Sequence, residues 1–280
     1  MFKDRLKQQL DETLNCIDNG NCGSHAAIEL TPSRDFLCIS LIGSQNYNLA
    51  DENSDVDSKL IVFPTLENIY RGSRMISSTH FMSDTNEHVD VKDIRAFFSL
   101  LEKENVNYSE LLFTDNIIVN DYYLDLWNIL VENREAIATC NKYKLMKSCK
   151  GICIRELGEA FENESLKMPL GYNPKKVASG LRVLNFSMNI ANSVSFAESL
   201  VYDDNDREIM LALKRGDEPY NLPYDKMYEY AMSLRETMSL LEENFNAGRE
   251  DSVDKETESL LQYVNDEMMK RYLKKELEWL

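Results

Sequence analysis

The sequence predicts an α+β protein in which a small mixed β-sheet with flanking helices is followed by an all-helical C-terminal domain. Up to about residue 120, short apolar runs of strand character alternate with turn residues and with segments of helical period. From Asp121 onward, apolar residues recur every three or four positions, and glycine and proline mark the joints between these segments. We therefore predict a mixed α+β domain over 1–120 and a helical domain over 121–280.

The individual elements follow from the same periodicities. Leucines spaced four residues apart among charges predict an amphipathic helix over residues 3–18. Further helices in the first domain are predicted from Pro64 and over 93–104. Its predicted strands cover residues 36–42, 56–63, 77–81 and 87–91. The predicted helices of the second domain cover residues 122–138, 143–161, 177–197, 208–213, 225–241 and 252–277.

The stretch between the first two strands carries the most information about function. The first apolar run ends in Gly43-Ser44, and eleven residues after Ser44 the aspartates Asp55 and Asp57 open the second run. Residues two apart in a strand share a face, so the two carboxylates should aim at one point. Such oxygen ligands suit Mg²⁺, which proteins usually hold through one or two carboxylates plus substrate phosphates. Gly43 allows the close approach of a triphosphate, and Ser44 offers it a hydroxyl.

This pattern resembles that of a known family. A Gly-Ser turn, a spacer and Ser-Asp-x-Asp at a strand start is similar to the signature of the DNA polymerase beta-like nucleotidyltransferase superfamily. Residues 41–49 and 54–59, with 89–95 and 173–182, resemble its bacterial and phage branch, which includes proteins labelled "nucleotidyltransferase domain-containing" or "RNA repair pathway". That branch tends to carry Gly where Asn48 stands and His where Gly180 stands, so any role of that His is absent. The resemblance covers roughly residues 36–220.

The resemblance implies transfer of NMP from an NTP to a hydroxyl acceptor, with release of pyrophosphate and with two Mg²⁺ ions, which Mn²⁺ could replace. Two ions require a third carboxylate. We predict Asp90, which lies mid-strand between apolar neighbours, with Asp93 as the alternative. One ion would bind the triphosphate through Asp55 and Asp57, and the other would bridge to Asp90 beside the attacking hydroxyl.

A transferase also needs cations opposite its carboxylates. Lys175, Lys176 and Arg182 of the helical domain are the predicted triphosphate or acceptor contacts. Lys59 follows the aspartate pair on the same strand face, where it either contacts phosphate or lies at the rim. Tyr47 is expected at the rim of the site, stacked on a base, and the alternative is a place in the core.

Composition limits the acceptor without identifying it. The net charge of −17 argues against indiscriminate nucleic-acid binding. Residues 141–182 nevertheless carry nine basic against four acidic side chains, which slightly favours an RNA 3′ end such as that of tRNA. Small-molecule (antibiotic) or protein acceptors remain as alternatives, and so does a non-catalytic, antitoxin-like or regulatory binding module.

The remaining composition predicts a cytoplasmic protein that does not enter a membrane. No apolar run reaches eighteen residues, and the charged N-terminus lacks the apolar core of a signal peptide. The six cysteines show no framework-like spacing, which is typical of reduced thiols.

Overall fold

The computed structural model describes residues 2–18, 35–51, 54–72, 75–85, 87–246 and 254–278, and these form the predicted α+β fold. The strands are β1 (Phe36–Leu41), β2 (Ser58–Val62), β3 (Ser77–Phe81), β4 (His88–Asp93) and β5 (Ile117–Val119). The helices of the first half are α1 (Phe2–Asp18), α2 (Leu66–Tyr70), α3 (Ile94–Glu102) and α4 (Val106–Ser109). The remaining helices are α5 (Leu124–Glu132), α6 (Arg134–Ala138), α7 (Lys142–Glu159), α8 (Pro174–Ala191), α9 (Phe196–Leu200), α10 (Asp204–Arg215), α11 (Tyr224–Phe245) and α12 (Lys255–Glu278).

The strands form one mixed sheet in the order β3-β4-β2-β1-β5. β2 and β4 are parallel, and the other neighbouring pairs are antiparallel. β5 was not predicted, because three residues are too few to show an alternating pattern. The second strand begins at Ser58 rather than at residue 56, so Asp55 and Asp57 lie in the segment that leads into β2 and not within the strand.

The sheet buries both faces. On one face α1 packs its leucines against Ile39, Leu60 and Val91. On the other face Ile61 and Phe63 pack against α3, α5 and α12. Strand residues two apart share a face, so β2 divides its apolar side chains between these two clusters. The central strands are therefore held rigidly, and the segments that follow or precede them are fixed in position.

The hydrophobic clusters do not follow the predicted boundary at residue 120. Helices α7, α8, α10 and α11 share one cluster, which also takes in Tyr47, Leu49 and Val106 of the first half. By contrast, α5 and α12 belong to the sheet's cluster, and the Tyr272 hydroxyl of α12 donates a hydrogen bond to the Pro64 carbonyl. The last helix therefore returns to the sheet instead of extending the helical bundle.

Local capping sets where helix α8 begins and where helix α10 ends. The Asn173 side chain accepts a hydrogen bond from the Lys176 N–H, and Pro174 occupies the first turn of α8. Gly216 ends α10 in the left-handed conformation, with φ +73°. The first turn of α8 and the last turn of α10 meet, since a Cβ at Gly216 would lie 3.5 Å from Pro174 Cγ.

Gly180 marks a close contact between α8 and α7. A Cβ built at Gly180 would lie 2.5 Å from Leu157 Cγ, and the Cys153 thiol donates to the Gly180 carbonyl. This contact leaves no room for the histidine that the resembling branch carries here. We expect Gly180→Ala to lower the free energy of unfolding by about 1–3 kcal/mol through overpacking, as measured by urea denaturation.

The matched control for Gly180 is Gly151, a helical glycine of α7. Gly151 is exposed, and nothing lies within 4 Å of an added Cβ. Gly151→Ala should therefore raise the free energy of unfolding by about 0.5–1 kcal/mol through helix propensity alone. A stabilising Gly180→Ala would show that the two helices are not in tight contact.

Glu104 introduces a pH dependence into stability. Its side chain is buried, Oε1 accepts a hydrogen bond from the Asn141 N–H, and Oε2 has no hydrogen-bond partner among the described residues. Burial raises the pKa of Glu104 to about 9, although the Asn141 hydrogen bond and the charge of Lys144 oppose the rise. The folded protein therefore holds this carboxyl protonated at neutral pH.

The pKa of Glu104 is higher in the folded protein than its ordinary value of 4.5. The stabilisation that the protonated carboxyl gives the folded state is therefore complete below pH 4.5 and is lost as the pH rises toward 9. We expect the free energy of unfolding to fall over this range by up to about 1.4 kcal/mol per pH unit from this group. Urea denaturation at several pH values would measure the slope. Glu104→Gln should flatten it, and an unchanged slope in that variant would contradict the assignment.

Candidate functional site

A cavity of about 250 Å³ lies where the Gly-Ser turn and the Asp-x-Asp segment meet helices α8 and α10. Its lining consists of three carboxylates, three cations and two serines: Asp51, Asp55, Asp57, Lys175, Lys214, Arg215, Ser44 and Ser54. The predicted residues Ser44, Asp55, Asp57 and Lys175 are thus brought together. The other four were not predicted, and two of them, Lys214 and Arg215, reach the cavity because α10 docks onto the loop after β1.

The turn after β1 has the geometry that its glycine suggests. Gly43 has φ +77° and no atom within 4 Å of a built Cβ, so its backbone is open to a ligand. The Ile42 N–H donates to the Asp57 carbonyl at 3.0 Å, which ties the turn to the Asp-x-Asp segment. Asn48, which replaces a glycine of the resembling pattern, has φ +59°, a conformation that asparagine tolerates better than most residues.

Asp57 is held by a residue that the sequence did not single out. Asp57 Oδ1 lies 2.8 Å from His88 Nδ1 and accepts a second hydrogen bond, of 3.2 Å, from the His88 backbone N–H. Burial raises the pKa of Asp57. The hydrogen bonds and the charge of His88, together with the charge of Lys175, lower this pKa by more than burial raises it, so the net shift is downward. The hydrogen bond to Asp57 raises the pKa of His88 in turn.

The cations opposite the carboxylates come from two helices. Lys214 Nζ donates to Ser54 Oγ at 3.1 Å and lies 3.9 Å from Asp51 Oδ2. Burial is the main cause that lowers the pKa of Lys214; the charge of Asp51 opposes the shift, and that of Lys175 adds to it. A bound anion would relieve this repulsion between cations, which is the electrostatic environment that a polyphosphate requires.

The helical region also holds the loop that joins the two halves of the motif. Arg207 donates to the Ala50 carbonyl at 2.8 Å, and Asn48 donates to the Tyr202 carbonyl at 3.0 Å. The Tyr202 N–H donates to the Tyr47 carbonyl at 3.1 Å. The position of the cavity therefore depends on α10 and on the segment before it.

The predicted third carboxylate does not join the other two. Asp90 lies 3.3 Å from Lys92 Nζ and 3.8 Å from Lys59 Nζ, and it is not among the residues that line the cavity. No group of three or more His, Cys, Asp or Glu side chains within the described ranges could hold a metal ion. In the structure the side chain of Asp90 is directed to two lysines of the sheet, and a shared metal-binding role of Asp55, Asp57 and Asp90 stays a prediction.

Two other charged residues, Lys59 and Asp93, make contacts within the fold. Lys59 is buried, with Nζ 5.1 Å from the centre of the Tyr108 ring, so it is not a rim lysine. Asp93, the alternative third carboxylate, is fully buried, caps α3 through the Arg95 N–H, and binds the Arg95 guanidinium at 2.7 Å. These contacts satisfy Asp93 within the fold.

Tyr47 and Arg182 form a buried contact instead of the predicted rim. The Tyr47 side chain is only 4% exposed, and its hydroxyl donates to Glu110 Oε2. The Arg182 guanidinium lies 4.0 Å from the centre of the Tyr47 ring. Both residues were expected to contact nucleotide. In the structure they join α8 to the chain just after the Gly-Ser turn.

The basic stretch 141–182 does not face the cavity as a unit. Lys176 Nζ lies 3.0 Å from Glu156 and 2.5 Å from Glu159, and Lys144 donates to the Glu102 carbonyl at 3.1 Å. Lys176 is thus paired with α7, and its predicted contact with the nucleotide stays a prediction. Among the stretch's basic residues, all of which the structure describes, Lys175 alone lines the cavity.

Asp55 and Asp57 are the cavity residues that could hold a divalent ion. Asp57 Oδ2 accepts no hydrogen bond from the described residues, and the neighbouring Asp55 is exposed. Two such carboxylates suit a Mg²⁺ ion whose other ligands are phosphate and water. The position expected for a second ion requires Asp90, which is bound to lysines.

Comparison with known proteins does not assign the chain to a family. No family model matches it, and no curated protein matches it either. A solved structure, described as a nucleotidyltransferase-like protein from Exiguobacterium sibiricum 255-15, is similar over 87% of this chain and 75% of its own. The two chains are 9% identical and superpose with a TM-score of 0.30, which is too low to support an argument.

No helix in the part of the chain that the structure describes combines the length and the apolar character needed to cross a bilayer.

Proposed function

We propose that this protein transfers a nucleoside monophosphate from an NTP to a hydroxyl group and releases pyrophosphate. The observation that supports the proposal is the cavity itself, which sets Ser44, Asp55 and Asp57 opposite Lys175, Lys214 and Arg215. This is the charge arrangement that a metal-bound triphosphate needs, and it is built from the motif that resembles the nucleotidyltransferase superfamily.

The chain's own residues act mainly by positioning and charge neutralisation, as is general for phosphoryl and nucleotidyl transfer. The open backbone at Gly43 and the Ser44 hydroxyl bind phosphate oxygens, and Lys175 and Lys214 stabilise the charge that develops on the departing pyrophosphate. Asp55 and Asp57 would hold Mg²⁺, and the chemistry that this ion supplies is polarisation of the phosphoryl oxygens.

The acceptor that best fits the structure is a small hydroxylated molecule. The preference for RNA depended on a basic surface facing the carboxylates, and Lys144, Lys176 and Arg182 are engaged elsewhere. A cationic small molecule suits the net charge of −17 better than a polyanion does.

Incubation of the purified protein with Mg²⁺ and each α-labelled NTP tests the proposal. The acceptors are a panel of amino-sugar antibiotics, total tRNA, or none. Label on a small molecule supports the proposal. Label on tRNA would show that the acceptor is RNA, and label on the protein itself would indicate a protein acceptor. Binding of Mg²⁺–NTP without any transfer would favour the regulatory module, and neither binding nor transfer would refute both.

A further inference from the structure

The segment before β2 and the start of β4 lie side by side because the two strands are parallel. Ser58 pairs with Val89, and Lys59 pairs with Asp90. Asp57 and His88 come one position before Ser58 and Val89, so they lie side by side where the two strands begin, next to the cavity. The side chain that lies beside Asp57 at this point is the imidazole of His88.

The contacts of His88 fix one oxygen of Asp57 and leave the other available. Both the Nδ1 atom and the backbone N–H of His88 lie within hydrogen-bond distance of the same oxygen, Oδ1, at 2.8 Å and 3.2 Å. Oδ2 accepts no hydrogen bond from the described residues, and Asp57 lines the cavity. Partners of this kind orient a metal-binding carboxylate, and their loss typically weakens metal binding by about 10–100-fold.

We infer that His88 is a positioning residue for Asp57, and that its Nδ1–H orients the carboxylate so that Oδ2 binds the divalent ion of the nucleotide. This inference rests on the proposed function. It departs from the three-carboxylate arrangement, because a neutral or cationic ring replaces an anion beside Asp57. A single metal–nucleotide complex then needs only Asp55 and Asp57 from the protein.

Two substitutions of His88 that resemble each other in shape separate the orientation of Asp57 from the packing of the side chain. In His88→Asn the amide Nδ2–H stands as many bonds from the backbone as His88 Nδ1 does and can donate to Asp57, whereas His88→Leu has a similar size and no donor. The backbone N–H remains in both variants. We would measure the apparent Kd of Mg²⁺ by calorimetry in the presence of α,β-methylene-ATP, or of the matching analogue of whichever NTP is transferred.

We expect His88→Leu to weaken Mg²⁺ binding by about 10–100-fold, and His88→Asn to remain within a few-fold of the wild type. Thermal melts of both variants control for folding. Equal Mg²⁺ affinity in the Leu variant and the wild type, even with a lowered melting temperature, would show that His88 has only a structural role. A wild type that transfers NMP while both variants bind alike refutes this inference and leaves the proposed function standing. A wild type that binds no Mg²⁺–nucleotide refutes both.

Discussion

Asp57→Asn is expected to lower the rate of nucleotidyl transfer at least about a hundred-fold, because loss of a metal ligand removes several kcal/mol of transition-state stabilisation. Asp55→Asn should have the same effect, since both carboxylates line the cavity. The fold should survive in each case. Asp55 is exposed, and Asp57→Asn weakens only its contact with His88, at a cost of about 1 kcal/mol.

Initial rates with labelled NTP, together with thermal melts, would measure both effects. Asp121→Asn is the matched control, because Asp121 is exposed and lies outside the cavity lining. Near-normal turnover in either Asp55→Asn or Asp57→Asn would refute the metal assignment.

Asp90→Asn distinguishes a metal site of two carboxylates, Asp55 and Asp57, from a site of three carboxylates that includes Asp90. With Asp90 bound to Lys59 and Lys92, we expect its substitution to reduce transfer less than tenfold. If Asp90→Asn instead eliminated transfer and retained nucleotide binding, the three-carboxylate hypothesis would hold and the placement of Asp90 outside the site would be wrong.

Arg182→Met is expected to lower the free energy of unfolding by about 2–3 kcal/mol. The guanidinium stacks on the buried Tyr47 ring, and its charge acts on the buried Glu110 carboxylate. Burial is the main cause that raises the pKa of Glu110, and the charge of Arg182 is among the effects that oppose the rise. Removing this cation loses the cation–π contact and leaves the buried acid with Lys59 but without the second cation that compensates its charge.

Lys176→Met on the same helix is the control, because its ion pairs with α7 are partly exposed and such pairs contribute at most about 1 kcal/mol. Urea denaturation of both variants would measure the difference. If Arg182→Met kept wild-type stability and only raised the KM for NTP, the original assignment of Arg182 to the nucleotide would be correct.

The sequence predicted the local elements well because their signals are local. The apolar run of β1, the helical spacing of α1 and the Gly-Ser turn before Asp55 and Asp57 all depend on residues within a few positions of one another. The α+β class followed from these elements. Such patterns could not predict β5, which has three residues, or the exact first residue of β2.

The sequence by itself thus determined that two aspartates and a Gly-Ser turn lie at the ends of adjacent strands. Only the tertiary structure decided what surrounds them. The parallel register of β2 and β4 places His88 beside Asp57, and the rotation of α8 turns Lys175 to the cavity and Lys176 to α7. Register and helix rotation follow from packing between segments distant in the chain, and no local spacing encodes that packing.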